Sequence, residues 1–351
     1  MNLLSANMDL TNKLPLRLPT YSRSKKMAVG ENGWSENYGA TIQAAKYADT
    51  KIKSPIAFQG FWQHGCFGPW DMEIPESLTY YNQENFKNWP VLVARKDEEI
   101  VLRKQGLHLA RAIGLPIVYA EPIAQPHIPN SLLIVPTHTM SGMQFPNSSD
   151  FVRYADQLKI FVGKFDYVAA CIHPSCWKNR LWLDEFRELG LPIIKGADGT
   201  DQNSLCRMKT LFRSFQNVTS NGWGSHIAYA LAENARVSIY GTQPMCSADE
   251  MRKVDATTRD NFQSQSYRLS PEFAAKRKRH LERYYTTPDG GVSDIEYGRY
   301  LIGSDNKIST SEMKEVLRLG YQCTLRESLK ARGQALERKV KQFFRNTDLA
   351  Q

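Results

Sequence analysis

The sequence predicts an α/β fold of two Rossmann-like domains followed by a helical C-terminal extension. Short apolar, β-prone runs alternate with longer stretches of helical periodicity, which is typical of parallel sheets covered by helices on both faces. The alternation forms two series separated by the polar segment 141–150, and after Gly241 the chain becomes helical and charged. A length of 351 residues suits two domains of ordinary size. We therefore assign residues 1–149 to a first Rossmann-like domain, 150–285 to a second, and 286–351 to the extension.

The first series contains short apolar runs that predict strands and one long stretch that predicts a helix. The strands are expected at 54–58, 90–94, 116–120 and 132–135. Between the second and third of them, apolar residues recur at helical spacing over 97–113, and Gly114 ends that predicted helix.

The second series is more regular and alternates helix and strand throughout. Helices are expected at 150–163, 180–189, 202–214 and 225–233. The strands between and after them are expected at 167–172, 191–194, 217–219 and 236–240. The regular alternation is typical of a mainly parallel sheet.

Composition excludes several classes of protein. The hydrophobic fraction of 42% is that of an ordinary globular chain, and no apolar run reaches the roughly 18 residues of a transmembrane helix. The N-terminal segment lacks the pattern of a signal peptide. The six cysteines are scattered without a CxxC pair, which argues against a disulfide framework and a zinc site. We therefore expect a cytoplasmic protein.

The net charge of +9 is concentrated toward the C-terminus. Basic residues cluster at 276–279 and along a predicted amphipathic helix at 325–344. They are either solvated helix faces or a peripheral contact with the anionic inner face of the plasma membrane. No nucleic-acid-binding signature accompanies the charge, so nucleic acid is not an expected partner.

Two strand ends of the second series carry isolated polar residues. Ligands of open α/β sheets bind beyond the carboxyl ends of the strands. His173 and Pro174 follow the first strand of this series, and the imidazole can donate a hydrogen bond to a phosphate or a nucleotide carbonyl. Lys195 follows the next strand and can neutralise a phosphate, while Asp198 can hold a ribose. Each could instead be an ordinary loop residue.

The turn from strand 217–219 into helix 225–233 is the strongest candidate for nucleotide binding. Its glycines let the backbone approach a ligand, and free amide groups at a helix N-terminus favour an anion. The pattern is neither Walker A nor GxGxxG. We predict nucleotide contacts from Ser220, Asn221, Gly224, Ser225 and His226. The alternative is an ordinary turn in which the serine caps the helix.

The first domain offers rival candidates for a catalytic base. A base that takes a proton from an acceptor hydroxyl is usually a carboxylate or a histidine. His64 and Asp71 are the preferred candidates, with Glu73 and His138 as alternatives.

Four segments in this order resemble a known family of enzymes. They are IVPTHTMSGM at 134–143, CIHP at 171–174, TSNGWGSHIAYAL at 219–231 and IYGTQP at 239–244. The order resembles that of bacterial surface-polysaccharide glycosyltransferases of the GT-B architecture, especially the sialyl- and Kdo-transferase groups that use CMP-activated acidic sugars. In those groups a His-Pro dipeptide and a later serine-containing turn contact the nucleotide, and His173-Pro174 with Ser220 and Ser225 match them.

The resemblance implies sugar transfer from a nucleotide sugar, CMP-linked or UDP-linked, to a glycan or lipid-linked acceptor. It also implies that neither a metal ion nor another cofactor is needed, because helix N-termini and basic side chains stabilise the leaving phosphate. The acidic motif of the sialyltransferases has no match here, although Asp71-Met72-Glu73 lies in the corresponding region. Two alternatives stay open: a CDP-polyol phosphotransferase of the teichoic-acid type and a non-catalytic nucleotide- or glycan-binding protein.

Overall fold

A computed structural model describes residues 15–22, 38–50, 60–72, 87–138, 149–243 and 271–320, with the single positions 322, 329, 333 and 334. Over these residues the protein is an α/β structure with one parallel sheet of three strands and another of five. The predicted fold class is thus confirmed at the level of parallel sheets in an α/β protein. None of the described helices is long and apolar enough to cross a bilayer.

The three-stranded sheet is formed by the N-terminal part of the chain. Its strands lie in the order β1 (Phe61–Trp62), β2 (Val91–Val93) and β3 (Ala110–Ala112). The helices of this region are α1 (Ala40–Tyr47), α2 (Pro69–Met72) and α3 (Lys96–Lys104). The strand expected at 90–94 is therefore confirmed by β2, and the one expected at 54–58 lies outside the described residues.

Two sequence predictions in this region are wrong. The helix expected over 97–113 ends at Lys104, because Gly106 takes a left-handed φ of 91° and Leu107 N–H returns to the carbonyl of Leu102 at 3.0 Å. This is a Schellman termination, which frees the following residues to form β3. The run at 116–120 forms a 3₁₀ helix, Pro116–Tyr119, instead of a strand, and all its side chains are buried. A short run that is apolar at every position shows no periodicity that distinguishes a strand from a helix.

The five-stranded sheet has the strand order of a Rossmann-like domain. Its strands are β4 (Ile128–Ile134), β5 (Tyr167–Ile172), β6 (Ile193–Lys195), β7 (Phe215–Ser220) and β8 (Arg236–Ile239). The helices are α4 (Ser149–Val162), α5 (Pro174–Lys178), α6 (Leu183–Glu188), α7 (Ser204–Ser214) and α8 (Ser225–Ala232). The spatial order is β6-β5-β4-β7-β8, so the chain builds outward from β4 in one direction and then returns to build in the other. The order reverses between β4 and β7, and this is the position at which open α/β sheets bind their ligands.

The position of β4 corrects the predicted grouping of strands. The sequence placed the strand at 132–135 in the first series, before a boundary at residue 149. In the structure it is the central strand of the five-stranded sheet, paired with β5 on one side and β7 on the other. Sheet membership depends on pairing partners far along the chain, which local periodicity does not specify.

A common hydrophobic core joins the two sheets. One buried cluster contains Trp62 and Leu92 from the three-stranded sheet together with Leu133 and Val218 from the five-stranded sheet. Both sheets thus contribute side chains, nearly excluded from solvent, to one continuous core.

The C-terminal part contributes helices that pack on this core. They are α9 (Pro271–Leu281), α10 (Ile295–Ile302) and a helix that begins at residue 310 and is described to residue 320. Gly298 brings α10 into backbone contact with α8, since a Cβ there would lie 2.3 Å from the Ala232 nitrogen. Of the helix predicted at 325–344, nearly all residues lie outside the described part.

Candidate functional site

An asparagine connects the strand ends at the position where the strand order reverses, between β4 and β7. The backbone N–H of Thr137, beyond the end of β4, donates to Oδ1 of Asn221 at 2.8 Å. Nδ2 of Asn221 donates to the carbonyl of Thr242, beyond the end of β8, at 2.9 Å. The buried amide therefore ties three strand ends together. The structure gives Asn221, predicted as a nucleotide contact, this tying role.

Four of the seven histidines of the sequence gather at this edge of the sheet. The rings of His138 and His173 are stacked with their centroids 4.0 Å apart. A positive charge on His138 would also lower the pKa of His64 and of His226, which places all of these side chains in one neighbourhood. We call His64, His138, His173 and His226 the histidine cluster.

The hydrogen bonds of His173 determine where its proton lies. Nδ1 accepts the backbone N–H of Ser175 at 3.2 Å and lies 2.7 Å from the Ser175 hydroxyl. A neutral imidazole that accepts at Nδ1 carries its hydrogen on Nε2. Among the described residues, Nε2 is buried and has no hydrogen-bond partner. His173 therefore presents an N–H donor that lacks an acceptor. Pro174 begins the short helix α5 directly after it.

His226 is held differently, within the turn that precedes α8. Its Nε2 lies 2.9 Å from the Ser220 hydroxyl, and that hydroxyl also accepts the N–H of Gly222 at 3.3 Å. Gly224 makes room for the ring, because a Cβ at this position would lie 2.7 Å from it. The turn is thus organised around an imidazole, with Ser220 fully buried beneath it.

Burial keeps three rings of the histidine cluster, those of His64, His173 and His226, neutral. Burial first, and then the charge of His138, lowers the pKa of His173 to about 3 and that of His226 to about 3. The same two causes lower the pKa of His64 to about 4. At neutral pH these three rings are therefore uncharged hydrogen-bonding groups.

A segment of the three-stranded sheet covers the N-terminus of α8. The Ser225 hydroxyl accepts the N–H of Cys66 at 3.0 Å, and the Tyr229 hydroxyl donates to the carbonyl of His64 at 2.6 Å. Gly65 permits this approach, since its Cβ would lie 3.3 Å from the serine Oγ. The predicted base His64 is thus brought to the predicted nucleotide-binding turn.

Lys195 lies at the side of the histidine cluster, at the end of β6. Its Nζ is 3.4 Å from Asp198 Oδ2 and 4.7 Å from the ring centre of Tyr21. Asp198 accepts two hydrogen bonds from Thr200, one from the backbone N–H at 2.9 Å and one from the side-chain hydroxyl at 2.8 Å. Burial would raise the pKa of Asp198, but the hydrogen bonds from Thr200 and the charge of Lys195 lower it overall. This ion pair borders His173, on which Asp198 also acts electrostatically.

The remaining predicted bases separate from one another. Asp71 is buried, and its Oδ2 accepts the N–H of Gly68 at 2.8 Å, which closes the turn at α2. Glu73 lies outside the described residues. His138, an alternative in the sequence prediction, is an exposed member of the histidine cluster.

A buried ion pair at the end of β2 was missed in the sequence. Arg95 Nη1 lies 3.0 Å from Glu98 Oε1 and donates to the carbonyl of Phe67 at 2.6 Å. Burial raises the pKa of Glu98 to about 7, although the charge of Arg95 opposes that rise. The signal was present in the charged residues 95–99 directly after an apolar strand, but the helix predicted from residue 97 was based only on apolar spacing.

The described residues contain no group of three or more His, Cys, Asp and Glu side chains that could hold a metal ion. Among known proteins, no family model matches the chain, and no curated sequence matches it.

Proposed function

We propose that the protein is a GT-B glycosyltransferase that binds a nucleotide sugar, preferably a CMP-sugar, beside the histidine cluster and transfers the sugar to a glycan or lipid-linked acceptor of a surface polysaccharide. The observation that carries the proposal is the N–H of His173 at Nε2. Within the described part of the chain it is buried without an acceptor, near the position where the strand order reverses. Open α/β sheets bind nucleotides at this position.

The unpartnered donor defines the chemistry of its ligand. A buried N–H without an acceptor costs about 1–3 kcal/mol, so a ligand that supplies an acceptor oxygen gains affinity. Phosphate and the carbonyl of a pyrimidine both offer such oxygens. The Thr137 hydroxyl is a second buried group without a partner among the described residues, and it lies beyond the end of β4. Two such groups at one edge favour a polar ligand with several acceptors.

The N-terminus of α8 is suited to the leaving phosphate. Ser225 lies at this N-terminus, where its hydroxyl accepts the N–H of Cys66 at 3.0 Å. The first backbone N–H groups of the helix and its dipole favour negative charge. Lys195 adds a cation at the side. Charge that develops on the leaving group is thus stabilised by protein groups.

His64 is the preferred base for the acceptor hydroxyl. Burial lowers the pKa of its ring to about 4, so the ring is neutral at pH 7, and its backbone carbonyl accepts from Tyr229 of α8. Asp71, the other candidate, is engaged in its own turn. In the proposed reaction the acceptor oxygen attacks the anomeric carbon, the nucleotide leaves, and His64 takes the hydroxyl proton.

Titration calorimetry with CMP, UDP, CDP and GDP tests the donor site. His173→Asn keeps a group at the Nδ1 position for Ser175 but removes the donor at Nε2. We expect it to weaken the preferred nucleotide by about tenfold, which corresponds to about 1.4 kcal/mol. His108→Asn, at an exposed position, is the control and should bind normally. Equal affinity of the two variants would remove His173 from the site.

Donor hydrolysis then identifies the reaction. Turnover of a CMP-sugar or a UDP-sugar supports glycosyl transfer, and turnover of CDP-glycerol alone would show a polyol phosphotransferase instead. Nucleotide binding without turnover of any donor, over a panel of acceptors, would show a non-catalytic binding protein.

We also propose that the enzyme works in the cytoplasm, in peripheral contact with the inner face of the plasma membrane. The support is the basic cluster at 276–279 on α9, where Lys278 and Arg279 are exposed. Cosedimentation with phosphatidylglycerol vesicles should fall when both residues are changed to Gln. Unchanged recovery would leave these cations as a solvated helix face.

A further inference from the structure

A cavity of about 790 Å³ lies at the opposite end of the five-stranded sheet from the histidine cluster. Its lining includes residues that directly precede strands: 118–125 before β4, Arg213 before β7, and 232–234 before β8. Because parallel strands begin at one edge and end at the other, this cavity and the histidine cluster are separate sites. Helix α10 forms a further wall.

Positive charge dominates the lining of this cavity. The cations are Lys209, Arg213, Arg299 and Lys307, and the carboxylates are Glu121 and Glu233. Burial lowers the pKa of Lys209, and the neighbouring cations Lys307 and Arg213 lower it further against the opposing carboxylates. Several cations that repel one another in a concave site favour the binding of an anion.

The cations differ in how strongly the protein already neutralises them. Lys209 Nζ donates to the carbonyl of Ile117 at 3.2 Å and lies 3.8 Å from Glu233. Arg213 and Lys307 take part in none of the ion pairs of the described chain. Lys307 is held 4.4 Å above the ring of Tyr47, which fixes its position without reducing its charge. Two cations are thus left to meet an anionic ligand.

The size and the acidic groups of the cavity define the rest of the ligand. A volume of about 790 Å³ is that of a site for a small organic molecule and exceeds what a lone inorganic anion fills. Glu233 and Asn234 lie on its wall, and carboxylate and amide oxygens accept hydrogen bonds from hydroxyl groups. We propose that this cavity binds a soluble phosphate ester of a polyhydroxylated molecule, such as a sugar phosphate. Arg213, Lys307 and Lys209 would hold the phosphate, and Glu233 would accept bonds from hydroxyls.

Calorimetry on the full chain with glucose 6-phosphate, inorganic phosphate and glucose tests the assignment. We expect the ester to bind best, phosphate to bind more weakly and glucose not to bind. Arg213→Gln and Lys307→Gln should each weaken ester binding by about tenfold. Arg318→Gln is the matched control, because its exposed side chain pairs with Glu315 far along the last described helix.

Additional variants and ligands distinguish binding at this cavity from binding at the nucleotide site and from binding to a lipid. His173→Asn should leave ester binding unchanged, and Arg213→Gln should leave nucleotide binding unchanged, so either proposal can fail without the other. Equal ester affinity in Arg213→Gln and Arg318→Gln would overturn the assignment. So would binding to phosphatidylglycerol vesicles without binding of the soluble ester, or no binding of the ester by the unaltered protein.

Discussion

The two sheets of this protein end in buried polar residues of opposite kinds. At the end of β2, Arg95 Nη1 lies 3.0 Å from Glu98 Oε1 and donates to the carbonyl of Phe67, and Glu98 Oε2 accepts the N–H of Ala94. Beyond β5 in the five-stranded sheet, His173 leaves one N–H buried without an acceptor among the described residues. Buried polar groups in proteins are nearly always paired, so an unpartnered donor at a strand end is a candidate for contact with a ligand. The first sheet thus ends in a charged pair, and the second ends in a neutral imidazole that we propose contacts a ligand.

The largest expected effect is on the free energy of unfolding, when the buried ion pair at the end of β2 is broken. Arg95→Met removes the cation that stabilises buried Glu98, and we expect a loss of about 3 kcal/mol of the free energy of unfolding. Urea denaturation measures it. The double variant Arg95→Met/Glu98→Leu replaces both charges with apolar groups and should recover most of the loss. A double variant as unstable as the single one would show that the ion pair is more than a structural element.

A smaller loss of the free energy of unfolding is expected at Asn221, between the ends of β4, β7 and β8. Asn221→Ala removes both hydrogen bonds that tie the ends of β4, β7 and β8. The unpaired N–H of Thr137 and carbonyl of Thr242 should cost about 1–3 kcal/mol in thermal or urea unfolding. His173→Asn, by comparison, should change stability by less than about 1 kcal/mol, because its Nε2 has no bond to lose. A stable Asn221→Ala protein with impaired nucleotide binding would instead make this residue a ligand contact.

Much of the five-stranded sheet was predictable from the sequence because its signals are local. The strands β5 to β8 are apolar runs bounded by turns, and their ends drew attention to His173 and to the turn from Ser220 to His226. The place of β4 was not predictable, since it depends on pairing with β5 and β7. For the same reason, the stacking of His138 on His173 joins two strand ends that are separate in the chain. Local patterns indicate which residues lie at strand ends, and the strand order decides which of those ends meet.

The last expected effect concerns the pH dependence of stability at His226. In the folded protein its pKa is about 3, against an ordinary value of 6.5. Between these values the unfolded chain binds a proton that the folded chain excludes, so the stability present above pH 6.5 is lost as the pH falls toward 3. His226→Gln keeps a group that can bond to Ser220 but does not titrate. It should therefore reduce the slope of unfolding free energy against pH by up to about 1.4 kcal/mol per unit between pH 6 and 4, roughly the range in which the unfolded histidine is charged.

The control for this last experiment is the exposed His108→Gln, which should retain the slope of the unaltered protein. Glu98 changes the stability in the opposite direction, because burial raises its pKa from 4.5 to about 7. The stability that this group contributes is therefore lost as the pH rises through that range. That contribution is common to all three proteins and cancels in their comparison. Identical slopes for His226→Gln and His108→Gln would mean that the His226 ring is protonated as easily in the folded chain as in the unfolded one. In that case the histidine cluster would be open to solvent, and the difference between the two sheets would rest on His173 alone.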